Sequence, residues 1–458
     1  MKSLSTMSMA TAIAIGVGVI YVLSPLTVWF GVAMWALHRY ATSGLDVDER
    51  RWMTALLAVA IILRVAAVAG LFVLTDHTKV PFGIFFGDEA AYIRRSMWLG
   101  NVALRIPTHT ADFIYAFDDS GWTSHLYVLA YLQVLFGPSP YGVHLVGIAM
   151  YLTGAIVLYR TVRPTFGRAP ALGGLGFLLF LPSLFAWSIS ALKEPLYLLF
   201  TACSVACALA IVQQSRWAIK IAAFVVLVGL VAALQTIRDQ GGVLTGGGIV
   251  VGLLIGWMVS RPRVLIAVVV ALPLVTGAVL SRPKNQVAAY LALQRAARQH
   301  WGHVETQGWV YTLLDPRFYG DISSISDLQF RDSALFVARA FERYVTAPWP
   351  WEVQSRIALL NIPEQVVWYL VVLLLPAGVI ASCRRNPMLT GLLFGTALVS
   401  IVAIALTSGN VGTLVRHRSL AMPYLVFLSA AGLCELLSRA RGTAFVRSAF
   451  PKADPVWP

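Results

Sequence analysis

The chain has 458 residues and a formal net charge of +14; 58% of it is apolar, 11% aromatic and only 12% charged. With a mean hydropathy of +0.74 and repeated apolar runs near the length of a bilayer crossing, it reads as an all-α polytopic membrane protein. That excludes a soluble enzyme carrying a single anchor.

The first apolar run, from about Ser8 to Leu37, is too long for a signal-peptide core and has no convincing cleavage site after it, so a retained helix is expected near 10–37. Further helices are expected near 53–75, 140–159, 169–190, 194–213, 218–237, 243–260, 264–281, 363–383, 388–407 and 420–437. That makes about eleven crossings. Cys203, Cys207, Cys383 and Cys434 fall inside these runs or at their ends, where they pack as small hydrophobes and imply no disulfide framework.

Alternating sides along these helices gathers Arg39, Arg50, Arg51, Arg160, Arg163, Arg168, Arg216, Lys220, Arg261, Arg263, Arg384, Arg385, Arg439, Arg441, Arg447 and Lys452 on one face. The positive-inside rule makes that face cytoplasmic, with the N-terminus outside and the C-terminal tail inside. Topology thus accounts for most of the net charge and gives no warrant for nucleic-acid binding.

Two long segments then lie outside, 76–139 and 282–362. The first contains an apolar stretch from His125 to Phe136 that is short for a crossing and reads as an interfacial or re-entrant helix. In the second, "NQVAAYLALQRAARQHW" and "DLQFRDSALFVARAFERYV" carry apolar residues at helical spacing, as amphipathic cap helices do.

Three constellations could carry chemistry. In "FFGDEAAYIRRSMW", Asp88 and Glu89 precede a helix-like run; they suit N-capping, and equally suit a base for an acceptor hydroxyl with a neighbour that positions it. In "ALKEPLYLL", Pro195 belongs to a first helical turn, which puts Lys193 and Glu194 at an outer helix start. Snorkelling and dipole stabilisation explain these two as well as catalysis does. In "TLVRHRSLAMPY", Arg416, His417 and Arg418 precede the last crossing on the outer face, against the charge bias; paired donors suit a phosphate, whether on a substrate or a lipid headgroup. Weaker signals are Arg64 within the second crossing, His300 and His303 without a companion metal ligand, "GGVLTGGG" as a close-packing stretch, and Trp349 and Trp351 as interfacial anchors or a sugar-stacking pair.

In order and sidedness, "GDEAAY", "FGPSPYGVHLVGIAMYLTGAIVLYRTVRPTFG", "KEP" and "RHRSLAMPYLVFLSAAGL" resemble the GT-C membrane glycosyltransferases, in the branch of protein-mannosyltransferase, aminoarabinose-transferase and RgtA/B/C/D-like proteins. The resemblance runs from about residue 53 to 437. It makes 1–52 an extra N-terminal helix and cytoplasmic loop, 53–437 the membrane domain with outer loops 76–139 and 282–362, and 438–458 a cytoplasmic tail. It implies inverting transfer of a sugar from a polyprenyl-phosphate carrier to a glycan, lipid or protein acceptor of the cell envelope, at the outer face of a bacterial inner membrane. Asp88, Glu89 and Glu194 become the catalytic candidates, and Lys193, Arg416, His417 and Arg418 the ligands of the carrier phosphate. No cofactor is required; a divalent metal stays open. "TSHLYVLAYL" stands where a stronger "PPLY" element is expected, and "FLPSLFAWSISALKEP" is reminiscent of polysaccharide repeat-unit polymerases. A polymerase or ligase using polyprenyl-pyrophosphate glycans is therefore the alternative, with a glycan or lipid transporter as a third reading.

Overall fold

The computed structural model describes residues 11, 14–18, 24–76, 87–119, 121–137, 141–307, 313–314, 330–352 and 362–441. Among them every regular element is helical. Eight helices are long and apolar enough to cross a membrane, or up to ten if each of two bent pairs counts as one span.

The chain opens with α1 (Pro25–Thr42) and α2 (Val47–Leu74). Here the expected crossing at 10–37 needs correction, because Pro25 forces Ser24 into extended backbone (φ −157°, ψ 91°) and a helix begins afresh after it. α1 is not among the helices that qualify as spans. In the next turn Asp46 accepts from the Glu49 amide at 2.8 Å, so α2 starts with a satisfied cap. The outer-loop region then holds α3 (Gly87–Ala103), α4 (Thr110–Ala116) and α5 (His125–Phe136). α5 has the bounds expected of the short interfacial or re-entrant helix.

Next come α6 (Gly142–Phe166), α7 (Arg168–Phe180), α8 (Pro182–Ser188), α9 (Glu194–Gln213) and α10 (Trp217–Ile237). The single crossing expected at 169–190 is instead α7 and α8, bent by 65° where Pro182 interrupts the hydrogen-bond ladder. The remaining helices are α11 (Gly241–Val259), α12 (Pro262–Leu280), α13 (Pro283–Gln307), α14 (Phe330–Thr346), α15 (Ile362–Cys383), α16 (Pro387–Thr407), α17 (Val411–Arg418) and α18 (Met422–Arg441). The last crossing is likewise a pair, α17 and α18, bent by 66°.

The chain divides into two compact units. The first comprises 1–160, 184–206 and 225–242; the second comprises 161–183, 207–224 and 243–458. In the first unit, Arg64 is fully buried in α2. Its Nε donates to Ser188 Oγ at 2.7 Å, one guanidinium nitrogen donates to Ala60 O at 3.2 Å, and its charge lies over the rings of Tyr151 and Phe185. These contacts meet the cost, about 3 kcal/mol, of placing a cation at span depth. Glu49, also fully buried, accepts from the Tyr159 hydroxyl at 2.6 Å.

In the second unit, close approach is made by glycine. A Cβ at Gly252 would stand 2.6 Å from Gly391 O, one at Gly395 would stand 2.4 Å from the Gly252 backbone, and one at Gly248 would meet Thr396 Cα at 2.7 Å. α11 and α16 therefore pack backbone against backbone, as small residues at four-residue spacing permit. The same holds for α15 and α18 where Gly378 faces the Leu428 and Gly432 backbone.

Candidate active site

Gly87 starts α3, so Asp88 and Glu89 lie in its first turn, where the helix dipole favours carboxylates. Asp88 therefore belongs to the helix itself and is not its cap; its side chain lies outside the described residues. The Glu89 side chain is fully buried. Its Oε1 accepts from the Ala191 amide at 2.6 Å, and its Oε2 lies 3.6 Å from Nε2 of the equally buried His144.

Ala191 leads directly into Lys193 and Glu194, and Glu194 is the first residue of α9. The Glu89–Ala191 bond therefore draws two of the segments picked out in the sequence, 87–89 and 193–194, into one region of the first unit. His125, at the start of α5, joins them, its Nε2 3.0 Å from Ala191 O and its Nδ1 buried without a hydrogen-bond partner. Burial holds the His125 pKa below the usual histidine value; Lys193 lowers it further, while the Ala191 bond and the charge of Glu194 pull the other way. The imidazole is thus neutral at pH 7.

The frame around this region is held by a further set of hydrogen bonds. The Arg95 guanidinium donates to Asp118 O and lies over the Tyr115 ring, tying α3 to the end of α4. Gln133 Nε2 donates to Ser96 Oγ at 2.8 Å, joining α3 to α5. The Ser124 amide donates to Thr236 O at 2.9 Å and Thr123 Oγ1 donates to Ile237 O, fastening the start of α5 to the end of α10. Beside His125, an apolar cleft is lined by Leu129, Val143, Met150, Ser190 and Pro195, and a Cβ at Gly147 would meet Ser190 O at 2.8 Å.

Arg416, His417 and Arg418 end α17 in the second unit, so the two sets of candidates belong to different units. The Arg418 side chain is buried and committed to protein partners. Nε donates to Tyr344 O at 3.1 Å, one terminal nitrogen donates to Tyr344 O and Ala347 O, and the other donates to Gln365 Oε1 at 3.0 Å. The guanidinium also lies over the Tyr344 and Trp368 rings. Trp368 Nε1 bonds Val345 O at 2.8 Å and the Tyr369 hydroxyl bonds Thr346 O at 2.7 Å. Four successive carbonyls at the end of α14 are thereby satisfied by side chains, a set an α-helix leaves open at its C-terminus. Of its neighbours, His417 Nδ1 lies 3.5 Å from Ser408 Oγ, and Arg416 is half-buried.

His125, His144 and Ala191 carry no signal in the sequence beyond two histidines at the edges of apolar runs, and the sequence reading did not include them in the site. Among the described residues no group of three or more metal-ligating side chains could hold a metal ion.

This architecture defines an all-helical, multi-pass membrane protein in which Glu89 is buried. In comparison with known proteins, no family model and no curated protein matches the chain. One solved structure is similar, that of ArnT from Cupriavidus metallidurans bound to undecaprenyl phosphate, at 16% sequence identity and a TM-score of 0.44. The match covers 83% of this chain and 60% of that one, so the chain spans less than two thirds of the length of the structure it matches.

Proposed function

We propose that the chain is a membrane glycosyltransferase that moves a sugar from a polyprenyl-phosphate carrier to a cell-envelope acceptor at the outer face of a bacterial inner membrane. The observation that supports this most is the 2.6 Å bond from the Ala191 amide to Glu89 Oε1, which gathers the acidic turn of α3 and the Lys193–Glu194 turn in one unit. Glu89 spends its carboxylate on that bond and on His144, so its role is to position. Asp88, next to it on the same helical turn, is the candidate base.

The chemistry needs little more. Asp88 takes the proton of an acceptor hydroxyl as its oxygen attacks the anomeric carbon, the bond from that carbon to the phosphate oxygen breaks, and the carrier leaves as a phosphate anion. Lys193 is the cation suited to that leaving charge, and Glu194 orders the turn that carries it. A glycosyl phosphate is already an activated donor, so alignment and charge stabilisation supply most of the rate. In the second unit, Arg416 and His417 are proposed as phosphate ligands, while Arg418 positions the end of α14. The outer loops 76–139 and 282–362, the N-terminus outside and the tail inside belong to the same reading.

The discriminating experiment supplies membranes that contain the chain with two donors in parallel, a polyprenyl-phosphate monosaccharide and a polyprenyl-pyrophosphate oligosaccharide. The expected result is incorporation of label from the first donor only. Incorporation from the second alone would make the chain a polymerase or ligase, and carrier movement without a new glycosidic bond would make it a transporter.

A further inference from the structure

The segment that Arg418 holds continues into a feature that the transfer chemistry does not use. Trp349 and Trp351 stack with ring centroids 4.8 Å apart and planes only 10° from parallel. Trp351 is 75% exposed, so one of its faces rests on Trp349 and the other is open. The pair does not hang on a loose loop. Glu352 accepts from both terminal nitrogens of Arg343 at 2.8 and 2.9 Å and from the Trp349 amide at 3.0 Å, and Arg343 Nε donates to Leu313 O at 2.7 Å. Trp349 also leans on Tyr369, whose hydroxyl fixes the end of α14.

We infer that the open face of Trp351, with the Arg343–Glu352 pair beside it, is a carbohydrate-binding platform that takes a pyranose of the acceptor glycan. An indole face is electron-rich and flat, and it attracts the polarised C–H face of a sugar ring. The carboxylate and guanidinium keep lone pairs and hydrogens for ring hydroxyls, and their mutual bonds hold them at fixed positions before the ligand arrives. A tryptophan that only anchors the chain at a membrane interface needs neither a stacked partner nor a bidentate ion pair at its base. The platform's place as an acceptor subsite rests on the transferase reading; its affinity for sugar does not.

The test measures binding without any donor. The full chain in nanodiscs is applied to an array of bacterial envelope oligosaccharides, alongside Trp351→Ala, Trp351→Phe and Glu352→Gln. The expected result is wild-type binding to a subset of glycans, weakened about tenfold or more in Trp351→Ala and largely kept in Trp351→Phe, the scale that loss of one stacking ring produces. Glu352→Gln is expected to weaken binding less than Trp351→Ala does. No binding by the wild type, or equal binding by Trp351→Ala, overturns the inference. So does a brominated-lipid quench of wild-type tryptophan fluorescence that falls in Trp351→Ala, because it would place that ring among lipids. Because no donor is present, loss of the transferase reading leaves this result readable, and loss of sugar binding leaves the transfer assay untouched.

Discussion

At the scale of single residues, Glu89 is the acid proposed to position the site and not to react in it. Its buried carboxylate answers the Ala191 amide and faces His144. Glu89→Ala is expected to leave a buried amide without an acceptor, at a cost of about 1–3 kcal/mol, read as a lowered unfolding midpoint by scanning fluorimetry. Glu89→Gln keeps an acceptor for that amide and is expected to be nearly as stable as the wild type and to retain transfer, as a positioning role requires. Arg418 gives a second test of the same kind. Arg418→Lys keeps the charge but cannot span Tyr344 O, Ala347 O and Gln365 at once, so it is expected to destabilise the protein. A stable Arg418→Lys protein with a raised donor KM would show the residue to be a phosphate ligand instead.

Two groups contribute to the acid limb of stability. His125 is held below its usual pKa, so the unfolded chain binds the proton more readily than the folded one. Its contribution is complete above about pH 6.5 and is lost as pH falls below that value toward the lower, folded pKa. Glu352 follows at lower pH. Burial would raise its pKa, but the Arg343 pair and the Trp349 amide outweigh it and leave it lowered, so its contribution is present above the ordinary glutamate value and fades as pH falls beneath it. The expected fluorimetric profile is a midpoint that holds above about pH 6.5 and falls as pH drops below it. His125→Gln flattens that first limb, and an unchanged slope in this variant would remove His125 from it.

At the scale of elements, what could be read in the sequence was whatever a helix announces in its own residues. The span of α5 from His125 to Phe136, the start of α9 at Glu194 beside Pro195, and the two amphipathic helices later seen as α13 and α14 all follow from local periodicity and capping. What escaped was decided by proline at a break or by backbone atoms far away in sequence. Ser24–Pro25 interrupts an otherwise continuous apolar run, and Pro182 turns one expected crossing into two helices. The partners of Arg418 are main-chain carbonyls at 344 and 347, which leave no mark in a sequence, and the Glu89 bond goes to an amide 102 residues away. Helix packing offers a clean test. Gly252→Leu must push a side chain into the Gly391 backbone and is expected to cost about 1–3 kcal/mol or more, read as a lowered thermal midpoint. Gly229→Ala, at a position with nothing within 4 Å, is expected to be neutral or slightly stabilising.

At the scale of the whole molecule, the proposed sidedness puts the acidic turn outside and the arginine-rich turns inside. A cysteine placed at the exposed Asp119 is expected to react with an impermeant maleimide in intact cells, and one placed at the exposed Ser215 only after the cells are opened. The reverse pattern would invert the topology and separate Asp88 from any outer acceptor. Asp88 is the proposed base on which transfer depends. The measurement that tests it most directly is the rate of sugar transfer from a polyprenyl-phosphate donor in membranes holding Asp88→Asn at wild-type abundance. A loss of about 10²–10⁴-fold is expected, with the unfolding midpoint unchanged. Transfer at the wild-type rate would contradict it.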